Sequence, residues 1–80
     1  MNDEFKQLIE AIKSEKSAFD AAFSAGEKET MIRSIATAAS AIGAMRVIRE
    51  VSDEDIQNPD AIESGDYLIN RYMIPKLLKS

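Results

Sequence analysis

The residues that carry most enzyme chemistry are missing from this sequence, which has no histidine and no cysteine. Their absence removes most zinc sites, most general bases that work near neutral pH, and every Ser–His or Cys–His nucleophilic pair. Carboxylates, lysines and tyrosines remain. Asp53 and Asp55 form a candidate acid pair, but on an exposed turn nothing would drive their pKa values apart. Lys16 is the one base at an apolar position, where burial would perturb it. The simpler reading is that its methylenes lie across a small neighbour while its ammonium reaches water. No phosphate-binding loop, dinucleotide fingerprint or nucleophile elbow is present. The expectation is a protein that is not an enzyme and uses no cofactor and no metal.

Two binding motifs come close and fail. Residues 52–63, SDEDIQNPDAIE, have the length and acidity of a calcium loop. Counted from Asp53, however, Asn58 stands where a glycine is required and Ser64 where a bidentate glutamate is required. Counted from Ser52, Glu63 falls in place but the first ligand is lost. Ala39-Ser40-Ala41-Ile42-Gly43 matches the small-residue centre of a helix-turn-helix. The recognition helix would then hold Arg46 and Arg49 and run directly into an acidic block, which would repel phosphates. A DNA-binding regulator of this type is therefore the weaker alternative, and direct nucleic-acid binding is not favoured.

Charge is distributed in blocks. Residues 1–49 are neutral overall, whereas residues 50–66 hold Glu50, Asp53, Glu54, Asp55, Asp60, Glu63 and Asp66 with no base. Residues 67–80 hold Arg71, Lys76 and Lys79 with no acid, leaving the chain at a net charge of −4. These acids could simply cap short helices and solvate a connector. They could also form a negative face for a basic partner, which would speed encounter and weaken with salt.

These groups are positioned by helices. Over residues 3–25, Phe5, Ile9, Ile12, Lys16, Phe19 and Phe23 recur at intervals of 4 and 3, with Leu8 beside them, as in one amphipathic helix. Asn2 or Asp3 can cap its start, and Gly26 suits the left-handed residue that ends it. A second helix is expected over 28–51, with Met31, Ile35, Ala38, Ile42 and Met45 along its stripe. Folding back at Gly26 brings Phe23 to Met31, Phe19 to Ile35, Lys16 to Ala38, Ile12 to Ile42 and Ile9 to Met45. Near Arg46 the pattern breaks, so that helix bends there or its last turns face a different neighbour. A shoulder of Ala36, Ala39 and Gly43 must face the C-terminal segment or a second copy of the chain, with the C-terminal segment preferred.

Beyond Val51, Ser52 and the acids after it read as a helix start, and Asn58-Pro59-Asp60 as another, with Gly65 ending a short helical turn. The last segment spreads Tyr67, Leu68, Ile69, Tyr72, Met73, Ile74, Leu77 and Leu78 around a helix, which implies burial on several sides or a waiting partner. Pro75 should kink or end it, by pushing Ile74 away from helical angles.

The fold expected is therefore all-α in a single domain. A long antiparallel hairpin, about 3–25 and 28–51, is closed by one or two shorter C-terminal helices into a three- to four-helix bundle. Membrane spans need about 20 apolar residues, more than the uncharged stretch 34–45 supplies, so no membrane role is expected. The opening MNDEFKQ lacks the basic and apolar regions of a secretion signal, and the absence of cysteine is compatible with a reducing cytoplasm. The function expected is a small acidic protein-binding module, an adaptor, inhibitor or regulator. Its contacts to a basic partner protein would be Asp53, Glu54, Asp55, Asp60, Glu63, Asp66, Tyr67, Tyr72 and Met73. Self-assembly as a homodimer through Ala36, Ala39 and Gly43 is the other alternative.

Overall fold

The structure is a computed structural model that describes residues 3–52 and 60–80. Helix α1 spans Asp3–Ala25 and α2 spans Lys28–Val51. A third helical stretch runs as α3 (Ala61–Leu68), a π-helical turn (Ile69–Met73) and α4 (Ile74–Lys79). The molecule is an elongated three-helix bundle, 43 × 18 × 15 Å.

Turn chemistry at the hairpin is as the sequence implies. Gly26 takes φ 72°, a conformation open to glycine at little cost. The Glu27 N–H then donates to the Ala22 carbonyl at 2.9 Å, closing the end of α1. Helix α1 runs unbroken past Ser17 and Asp20, which are its interior residues.

Burial follows the apolar stripes, shifted slightly in rotation. Phe5, Ile12, Phe19, Met31, Ala38, Ile42 and Met45 form the core together with Ile62, Ile69 and Met73 from the C-terminal helix. Ala22, Ala41 and Ser34 are buried as well. In a three-helix bundle each stripe points at the common centre, and its two flanks face the two neighbours. The small residues Ala22, Ser34 and Ala41 therefore occupy flanks where helices approach closely. Phe23 sits at the opposite margin, partly exposed, with the Lys76 ammonium 4.6 Å above its ring.

Three sequence expectations are corrected. Gly65 lies inside α3 rather than at a helix end. A Cβ there would meet Ile42 Cδ1 at 2.8 Å and Ile12 Cδ1 at 3.6 Å, so the glycine exists to let α3 settle onto the hairpin. That convergence also supports the expected juxtaposition of Ile12 with Ile42. Pro75 does not end the helix: Ile74 keeps φ −61° and ψ −46°. The accommodation is the π turn before it, where the Ile74 N–H reaches five residues back to the Ile69 carbonyl and opens room for the ring. The shoulder Ala36, Ala39 and Gly43 is not covered by the C-terminal helix, because α3 and α4 pack on the other flank of α2. The helix starts expected within Asp53–Pro59 lie outside the described residues; Ser52 itself caps the end of α2, donating its N–H to Ile48.

Candidate protein-binding surfaces

The antiparallel course of α1 and α2 brings the N-terminus of α1 to the same end of the bundle as the C-terminus of α2. Asp3 and Glu4 lie in the first turn of α1 and Glu50 in the last turn of α2, so these acids share this end. The C-terminal helix runs antiparallel to α2, and its orientation is marked by two cross-helix ion pairs. Arg46 binds Asp66, and Arg49 approaches Glu63 at 3.5 Å. These pairs explain the pattern break near Arg46: the last turns of α2 face α3. Glu63 and Asp66, two of the expected contact residues, are thus engaged by α2 arginines while their side chains stay partly exposed. Glu50 and Asp60 have no ion-pair partner among the described residues. Asp53, Glu54 and Asp55 fall outside the described residues.

Of the apolar contact candidates, one stays on the surface. Tyr67 is 69% exposed. Met73 is fully buried, so its role is in the core. Tyr72 is half-buried and engaged: its hydroxyl donates to Asp20, and its ring lies 6.1 Å from that of Phe19. The ammonium groups of Lys16 and Lys76 stand 4.9 Å and 4.8 Å from the Tyr72 ring centre, where the π-face attracts them. Tyr72 is thus a clasp that fastens the C-terminal helix to α1. Lys16 also donates to Asp20 at 2.9 Å. The Asp20 bond raises the Lys16 pKa, and the Tyr72 and Lys16 bonds hold the Asp20 carboxyl below its ordinary value. Lys16 therefore stays charged and exposed, and burial does not make it a base.

A shallow groove of about 410 Å³ lies between α1 and α3, lined by Ile9, Ile12, Ala61, Gly65 and Leu68, with Lys13, Asp60 and Ser64 at its edge. Its rim carries one base and one acid, so it has no single sign of charge to offer a ligand.

Helix α2 has a second face with a different character. Ala36 and Ala39 are exposed and Gly43 is half-exposed, with nothing within 4 Å of the position a Gly43 Cβ would take. Ile32, Val47 and Val51 are exposed large residues of the same helix. Helix α2 continues unbroken through Gly43, so residues 39–43 do not form the turn of a helix-turn-helix. Among the described residues α2 is long and apolar enough to cross a membrane by length and composition, yet a third of that window is already buried inside the bundle.

Sequence reasoning overlooked the pairing of Arg46 and Arg49 with Asp66 and Glu63. The signal was available: bases three apart on one helix match acids three apart on an antiparallel neighbour. No family model, curated protein or solved structure matches this chain.

Proposed function

We propose that the protein is a non-catalytic protein-binding module, an adaptor, inhibitor or regulator, whose acid-rich end engages a basic surface of a larger protein or nucleoprotein complex. The observation that carries this reading is the residual charge at that end. Residues 50–66 hold seven acids and no base. Arg46 and Arg49 counter Asp66 and Glu63, while Glu50 and Asp60 have no ion-pair partner among the described residues. The opposite end sets Lys28, Lys76 and Lys79 against Glu27 and Glu29, so the negative field is strongest at the acid-rich end. Such a field steers a basic partner to one end and weakens as salt rises. Tyr67, exposed on α3, supplies an aromatic contact beside the acids.

The test is an affinity pull-down from nuclease-treated lysate, washed at low and at high salt. One partner retained at low salt and released at high salt supports the reading. Changing Asp53, Glu54 and Asp55 to amides should leave the helical circular dichroism intact and weaken capture about tenfold. Unchanged capture by that variant would remove the acidic run 53–55 from the interaction.

A further inference from the structure

The outer face of α2 has features that the acid-rich end does not explain. Opposite the core, Ile32, Ala36, Gly43, Val47 and Val51 fall on one arc of the helix, and between Arg33 and Arg46 every residue is uncharged. Ile32, Val47 and Val51 are 52%, 60% and 75% exposed. A charged residue stands near each end of the arc, Arg33 at one and Glu50 at the other. Neither has an ion-pair partner among the described residues.

That layout is its own complement. Laid antiparallel on itself about a two-fold axis between residues 41 and 42, α2 brings Arg33 level with Glu50 of the other copy, at both ends. Ala36 comes opposite Val47 and Ser40 opposite Gly43, while Ile32 and Val51 share a level at the two edges of the seam. Large residues flank the ends, small ones lie at the crossing where backbones approach most closely, and unlike charges stand at the same level at each end. A two-fold interface requires such self-complementarity. We propose that two copies of this chain pair through the outer face of α2 in this antiparallel register. The C-terminal helix sits on the other flank and does not obstruct it. From Ile32 to Val51 the face is about 30 Å long at about 1.5 Å per residue. One helix face of that length buries less than the roughly 800 Å² per partner of a standard interface, so the dimer is a weak, concentration-dependent one. The dimer would hold two acid-rich ends at opposite extremes. It uses a separate surface from the partner-binding reading and stands or falls independently of it.

The test is sedimentation equilibrium of the full chain from low micromolar to about 1 mM. The expected result is a reversible monomer–dimer equilibrium. Gly43→Lys should weaken it more than tenfold, because it sets charges at the crossing. The folded monomer tolerates that change, since nothing lies within 4 Å of a Cβ there and lysine is the better helix former. Arg33→Glu alone should weaken the dimer, and the double exchange Arg33→Glu with Glu50→Arg should restore it. A chain that stays monomeric throughout, or a dimer indifferent to Gly43→Lys, overturns the proposal. A dimer that the double exchange fails to restore overturns the antiparallel register.

Discussion

Gly43 and Gly65 both lie inside helices, and their surroundings are opposite. At Gly65 a single added carbon would meet Ile42 at 2.8 Å, whereas at Gly43 it would meet nothing within 4 Å. The first glycine is accounted for by a contact within the bundle. The second has no such account, although glycine in a helix interior costs about 1 kcal/mol relative to alanine. The same contrast holds between adjacent alanines, since Ala38 is fully buried and Ala39 is exposed. Smallness on the inner face of α2 serves packing that has been completed. On the outer face, nothing within the described chain packs against Gly43, and Ala39 is exposed.

Substitutions that add bulk break this comparison most sharply. Ala38→Phe should destabilise the fold by about 3 kcal/mol or more, because the site is enclosed by packed side chains. Ala39→Phe, one residue along, should change stability by no more than about 0.5 kcal/mol. Urea denaturation midpoints of the two variants measure the difference, and equal midpoints would contradict the assignment of faces.

A smaller effect comes from the glycines themselves. Gly65→Ala should cost about 1 kcal/mol net, since displacement of Ile42 outweighs the gain in helix propensity. Gly43→Ala should stabilise the monomer by up to about 1 kcal/mol. Thermal unfolding at low concentration, where only monomer is present, checks both signs.

The smallest effect belongs to the clasp. Asp20 has a folded-state pKa below its ordinary value of 3.8, so it binds fewer protons folded than unfolded near that pH. Its contribution is present above the unfolded value and is lost as pH falls through the lower folded value. Its side chain is 39% exposed, so solvent screening holds the contribution to less than about 1 kcal/mol. The stability gap between the native chain and Tyr72→Phe should be constant above about pH 5 and should narrow in acid. A gap that widens in acid would contradict the hydrogen bond from Tyr72 to the Asp20 carboxylate.

Much of the hairpin was legible in the sequence because helical periodicity and a turn glycine are local signals. Phe5, Ile12, Phe19, Met31, Ala38, Ile42 and Met45 are core residues on both readings. The C-terminal helix was harder to read, for physical reasons. Its apolar residues surround it, so periodicity gave no direction for Met73 or Tyr72, and the π turn rotates them in a way no α-helical wheel anticipates. Gly65 is ambiguous in sequence, because a helix end and a close contact select the same residue. The shoulder at Ala36, Ala39 and Gly43 was recognised as a packing surface, but which neighbour it faces depends on which flank of α2 the third helix takes. That flank is marked by contacts distant in sequence: Gly65 against Ile42, and the pairs of Arg46 and Arg49 with acids 20 and 14 positions away.

The most direct test of the account is a dilution series of amide chemical shifts for the isotope-labelled chain. Shift changes with concentration should concentrate on the outer face of α2, at Ala36, Ala39, Ser40, Gly43 and Val47, and leave Ile69 and Met73 still. Shifts independent of concentration, or changes confined to the C-terminal helix, would contradict the claim that the bare face of α2 is completed by a second copy.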